Sequence, residues 1–114
     1  MQLRNIQLTW TSPEKTEWGS AIRCWHVRNL EIAGFVGRQA LLSPSPVYWL
    51  KDVKDAFIYN CRATAGAGTI FKIEDGAERL TVINNEFSHG KLLFDLGAGI
   101  EPKEIFESSN HLPS

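Results

Sequence analysis

Val27-Arg28-Asn29-Leu30-Glu31-Ile32 reads as one unit of a repeat. Working outward, Leu3-Arg4-Asn5-Ile6-Gln7-Leu8 precedes it, and Val53-Lys54-Asp55-Ala56-Phe57-Ile58 and Ala77-Glu78-Arg79-Leu80-Thr81-Val82 follow. The intervals Asn5 to Asn29, Asn29 to Asp55 and Asp55 to Arg79 are 24, 26 and 24 residues. A period in this range marks stacked structural units. Each unit is too short to bury its own core and needs a neighbour above and below.

The periodicity inside each unit decides between helical and β stacking. Helices need apolar residues at spacings of three and four over a dozen positions. Here the apolar residues alternate: Ile6-x-Leu8, Leu30-x-Ile32, Ala56-x-Ile58 and Leu80-x-Val82. Period two among β-branched and aromatic neighbours reads as strand. A second set of runs falls elsewhere in each unit: Ala21 to Cys24, Val47 to Leu50, Thr69 to Ile73 and Leu92 to Phe94. Turn-rich stretches separate the runs at Gly34 to Gly37, Ser43-Pro44-Ser45-Pro46 and Gly66-Ala67-Gly68. The pattern predicts an all-β, single-stranded right-handed parallel β-helix of about four coils over residues 1–96, with a C-terminal tail or cap over 97–114.

Stacking the four units predicts inward columns Leu3/Val27/Val53/Ala77, Ile6/Leu30/Ala56/Leu80 and Leu8/Ile32/Ile58/Val82, with Gln7, Glu31, Phe57 and Thr81 outside. Asn60 and Asn84 are 24 residues apart. Asparagine tolerates a left-handed backbone, and its amide can bond to the next coil, so the two predict an asparagine ladder at a bend.

Leu80-Thr81-Val82-Ile83-Asn84-Asn85-Glu86-Phe87 is similar to the repeat of pectin-lyase-like right-handed β-helices. Asn29 to Phe35 and Asp55 to Cys61 are weaker copies. The stretch from about Asn5 to about Leu96 resembles the last coils of a polygalacturonase-type glycoside hydrolase of the bacterial sort that digests plant polysaccharide. The resemblance implies a glycoside hydrolase parent, a plant-type polysaccharide as partner and a usually exported protein. A shared fold does not carry the activity with it.

The family's Asn-Thr-Asp, Asp-Asp, Gly-His-Gly and Arg-Ile-Lys segments do not occur here; Ser88-His89-Gly90 is the nearest echo. Glycoside hydrolysis by the usual route needs two carboxylates flanking the scissile bond. Between Gly19 and Leu96 the acidic residues on offer are Glu31, Asp52, Asp55, Glu74, Asp75, Glu78, Glu86 and Asp95. Glu74-Asp75-Gly76 reads first as a polar turn. No catalytic residue is assigned, and a minimal glycosidase using Glu74, Asp75 or Asp95 ranks last. No calcium-binding aspartate cluster is visible, and His26, His89 and His111 are too scattered for a metal site. Gly34-Phe35-Val36-Gly37 lacks the lysine and following helix of a phosphate loop and reads as a coil bend. No cofactor is implied.

A formal net charge of −1 gives no general attraction to nucleic acid or membrane. The sequence shows neither a secretory signal nor an apolar run long enough to span a bilayer. Cys24 falls in an inward column with Leu50 and Ile73, which predicts a buried thiol. The pairing state of Cys24 and Cys61 is left open.

Two features point to partners. A β-helix needs a cap at each end, because an open coil exposes apolar side chains and strand edges. No cap precedes the first strand, so the open N-terminal coil is expected to meet the remainder of a longer β-helix or a second copy. Trp10, Trp18, Trp25 and Trp49 are four tryptophans within the first 50 residues. Sugar rings stack on aromatic faces, so Trp49 with Arg23 and Lys72 in one outward column, and Trp10, Trp18 and Arg38 in loops, are candidate substrate-binding residues. The alternative is that these rings cover the core. The first reading is a non-catalytic C-terminal segment of a polysaccharide-degrading enzyme, structural or capping and prone to self-association. The second is a carbohydrate-binding module.

Overall fold

In the computed structural model, which describes residues 1–10, 19–41 and 43–113, the chain is a parallel β-solenoid of about four turns. It runs through β1 (Gln2–Arg4), β2 (Ile22–Trp25), β3 (Arg28–Ala33), β4 (Val36–Gly37), β5 (Tyr48–Lys51), β6 (Lys54–Tyr59), β7 (Arg62–Ala63), β8 (Thr69–Glu74), β9 (Glu78–Ile83), β10 (Leu92–Leu96) and β11 (Ile105–Ser108). A short 3-10 turn, Pro102–Glu104, precedes β11. All pairing is parallel, in sheets ordered β1-β3-β6-β9-β11, β10-β8-β5-β2 and β4-β7. Among the described residues no helix is long and apolar enough to cross a membrane.

Alternation sets what each strand buries. In the second sheet Ile22, Tyr48, Phe71 and Phe94 form one inward column, and Cys24, Leu50, Ile73 and Leu96 the next. The Tyr48 and Phe71 rings stack at 4.7 Å with 17° between their planes, and Phe35 and Phe87 meet them edge-on. In the five-stranded sheet Leu30, Ala56, Leu80 and Ile105 share a column, as do Leu3, Ile32, Ile58 and Val82. Val53 and Ala77 are buried at the bend before it. Apolar columns continuous from coil to coil hold such a stack together.

The first unit is corrected. Leu3 pairs with Ile32 rather than standing at the level of Val27, and Asn5 lies against Gly34 rather than Asn29. Ile6 is thereby 39% exposed and not part of an inward column. The reason is chemical. Three positions in the coil take a left-handed residue, one filled by Asn5, Gly34, Asn60, Asn84 and Ser109, one by Asn29, Asp55 and Arg79, and one by His26, Asp52 and Asp75. Arg4-Asn5-Ile6 and Arg28-Asn29-Leu30 therefore look alike in sequence while serving different bends.

The asparagine ladder is present, with Asn84 Nδ2 donating to Asn60 Oδ1 at 2.6 Å on the surface. A second, buried ladder lies beside it. The Cys61 amide donates to Asn85 Oδ1, Asn85 Nδ2 donates to Ile58 O and Asn110 Oδ1, and Asn110 Nδ2 donates to Val82 O and Glu107 Oε1. Amides satisfy donors and acceptors of successive coils that no strand ladder reaches.

The segment after Leu96 adds a further rung. Ile105 to Ser108 pair with Leu80 to Ile83, which puts Glu107 in the column of Ile32, Ile58 and Val82. Phe106 faces outward and is 63% exposed. Asn85→Ala strands the Cys61 amide and the Ile58 carbonyl in the core, so a loss of about 1–3 kcal/mol is expected by chemical denaturation. Asn84→Gly, which removes only the surface bond and keeps the left-handed bend open, is expected to lose under about 1 kcal/mol.

Candidate functional site

The outward side of the second sheet collects the side chains that carry chemistry. Alternation that sends Tyr48 and Leu50 inward sends Trp49 outward, in register with Arg23 on β2 and Lys72 on β8. The Arg23 guanidinium lies 5.2 Å from the Trp49 ring centre, and Lys72 Nζ lies 5.0 Å from it. The two cations come from the strands on either side of β5, so the indole is held between them. The indole N–H donates to Glu74 Oε1 at 2.8 Å. Each cation–π contact contributes about 0.5–1 kcal/mol at an exposed site.

Pro44, Ser45, Pro46, Trp49, Thr69, Lys72 and Asp95 line a groove of about 280 Å³ along this face. Asp95 pairs in register with Lys72 on β10 and is exposed. Neither Arg23 nor Lys72 has a carboxylate within ion-pair distance among the described residues. Trp25 is the neighbour that sequence reasoning left unplaced. It meets Trp49 edge-on at 6.1 Å, carries Lys51 5.1 Å from its ring centre and is 47% exposed. Extending the Arg23 alternation by two residues places it on this face.

The remaining candidates divide. Trp10 and Arg38 come together, the Trp10 indole N–H donating to Arg38 O at 2.6 Å. Both line a second groove of about 290 Å³ with Gln7, Leu8, Thr9, Val36, Thr64 and Ala65. Among the described residues the two grooves share no lining residue. Trp18 lies outside the described residues.

Of the three carboxylates considered for hydrolysis, two are engaged separately and Asp95 stands exposed in the Trp49 groove. Glu74 accepts the Trp49 N–H, and Asp75 pairs with Lys51 at 3.5 Å. Among the described residues no group of three or more His, Cys, Asp or Glu is placed to hold a metal ion. Cys24 and Cys61 are free and buried, and burial pushes both thiols up from their ordinary range.

A Ser-Glu-His cluster sits at the coil bend nearest the last rung. Ser88 Oγ donates to Glu86 Oε1 at 2.5 Å, and His111 Nδ1 lies 2.6 Å from Glu86 Oε2. Nucleophile activation requires the base between the hydroxyl and the acid. Here the carboxylate stands in the middle, so the arrangement fastens a bend rather than activating a serine. The Ser88 hydroxyl and amide, followed by His111, hold the Glu86 carboxyl down to about 2. On the opposite bend His26 bonds Asp52, and that bond, helped by Arg28 and Lys54, lowers the Asp52 carboxyl.

No protein-family model, curated protein or solved structure matches the chain. The fold is therefore described by its own geometry, that of a parallel β-solenoid.

A depressed folded-state carboxyl stabilises above its ordinary value and loses that contribution as pH falls through the folded one. For Glu86 the window runs from about 4.5 down to about 2. Glu86→Gln is expected to be less stable near neutrality and to show a shallower stability loss across that window, as read by thermal melts at stepped pH. A slope equal to that of the parent chain excludes the role assigned to Glu86.

Proposed function

We propose that the chain is a non-catalytic solenoid segment that closes one end of a stack and offers the other to further coils. The finer reading, on the resemblance of its repeat, is the closing segment of a polysaccharide-degrading β-helix protein. The observation that carries the proposal is the difference between the two edge strands of the five-stranded sheet. At one edge, β1 continues the inward column with Leu3, and Met1 and Ile6 are exposed beside it. At the other, β11 ends that same column with Glu107, which also takes the last proton of the buried amide ladder. An inward-pointing charge on an edge strand is a known way to stop further pairing.

With Glu74 and Asp75 engaged by Trp49 and Lys51, Asp95 lacks the second free carboxylate that hydrolysis by the usual route needs from this set, which supports a structural rather than hydrolytic role. A partner at the β1 edge is then either the preceding coils of a longer β-helix or a second copy. With the β11 edge closed, a second copy stacks β1 to β1, and association stops at a pair.

Light scattering over a dilution series tests the proposal. The parent chain is expected to associate no further than dimers, and Leu3→Lys to remain monomeric with an unchanged circular dichroism spectrum. Glu107→Leu opens the second edge and is expected to yield larger species. A parent chain that stays monomeric at every concentration overturns end stacking, as does growth beyond dimers without the Glu107 change. Release of reducing ends from polygalacturonate by the purified chain overturns the non-catalytic part.

A further inference from the structure

The outward tryptophan ladder does not depend on the end-stacking reading, and its geometry narrows what it can bind. From it we infer that the Trp49 groove is a binding site for an acidic glycan, a hydroxyl-rich chain bearing sulfate or carboxylate groups, held by charge rather than by ring stacking. The usual way a tryptophan holds a neutral sugar is through its flat face. Both flanks of Trp49 already carry a cation, Arg23 from one neighbouring strand and Lys72 from the other. Its indole N–H is taken by Glu74. The ring therefore positions the two cations and leaves no face for a sugar.

The two cation heads themselves are not neutralised by any ion pair among the described residues, unlike Lys51, which pairs with Asp75, and Lys54, which pairs with Glu78. A planar guanidinium presents paired donors suited to sulfate or carboxylate, and an ammonium adds a point charge. Arg23 reaches the Ser45 end of the groove: a side chain at Gly19 would meet both the Arg23 guanidinium, at 2.9 Å, and Ser45 Oγ, at 3.4 Å. Successive strands are about 4.8 Å apart, so Arg23 and Lys72, two strands apart, span about 10 Å along the solenoid axis. That span suits an extended chain better than a single small ion.

The other groove residues select for hydroxyls. Ser45 and Thr69 can donate or accept, and the exposed Asp95 carboxylate is an acceptor that repels a bare anion but receives a sugar hydroxyl. The chain as a whole carries a formal charge of −1, so binding of a polyanion has to be local to this face rather than a bulk attraction.

The test is isothermal titration of the full chain at low salt with four probes: a heparin fragment, a polygalacturonate fragment, neutral dextran and inorganic sulfate. Binding of either acidic glycan, with dextran and free sulfate at least tenfold weaker, is expected. The Arg23→Gln/Lys72→Gln double variant is expected to lose at least tenfold in affinity, while Arg62→Gln, an exposed cation on β7, binds as the parent does. The heparin and polygalacturonate arms separate a sulfate from a carboxylate preference. Absence of binding to both acidic glycans overturns the inference. So does dextran binding of equal strength, free sulfate binding as tightly as the glycans, or an equal loss in Arg62→Gln. Melting temperatures within a few degrees of the parent keep a folding defect from mimicking a lost site.

Discussion

Every coil of this protein has to turn at the same places, and L-residues in the left-handed conformation make those turns. Among the described residues, ten other than glycine adopt positive φ: Asn5, His26, Asn29, Asp52, Asp55, Asn60, Asp75, Arg79, Asn84 and Ser109. Each costs on the order of 1–2 kcal/mol relative to ordinary backbone, least for asparagine and aspartate. The cost is tolerated because strand pairing and the buried columns within dictate the path. The side chains at these bends are also put to use. Asn60 bonds Asn84, Arg79 forms a two-point ion pair with Asp55, and Asp52 gathers His26, Arg28 and Lys54. The strained positions and the surface ladders are thus the same residues.

This explains how much was legible in the sequence. The parallel solenoid follows from the 24-residue spacing and the alternation of Leu30-x-Ile32, Ala56-x-Ile58 and Leu80-x-Val82, because burial on one side of a strand imposes period two. The outward column Arg23, Trp49, Lys72 follows from the same alternation once Tyr48 and Leu50 are read as core. The register of the first unit did not follow. Asparagine at a left-handed bend marks that a turn occurs, not which of three turns it is, and Asn5 and Asn29 serve different ones.

The buried Asn85 to Asn110 ladder and the rung at Ile105 to Ser108 escaped for a related reason. Asn110 is 25 residues beyond Asn85, a spacing the repeat allows, but Phe106 and Glu107 reverse the apolar pattern of the strands before them. A strand whose inward position is acidic and whose outward position is phenylalanine does not announce itself by alternation. What closes the stack is the feature that hides it from pattern reading. The groove beside Trp49 was out of reach in another sense, since it depends on the loop Pro44-Ser45-Pro46 returning over β8 and β10.

The aromatic cluster in the core has a consequence for how the molecule yields. Phe35, Tyr48, Phe71, Phe87 and Phe94 touch in one continuous group, so the inner coils are tied together by rings as well as by strands. β1 and β11, the edge strands of the five-stranded sheet, contribute no ring to that group and hold to the stack from one side only. In a structure where each unit contacts just its neighbours, opening begins at such rungs and moves inward. The rungs bearing Leu3 and Glu107 are therefore the least protected part of the chain, so either end can be remodelled for stacking while the centre stays folded.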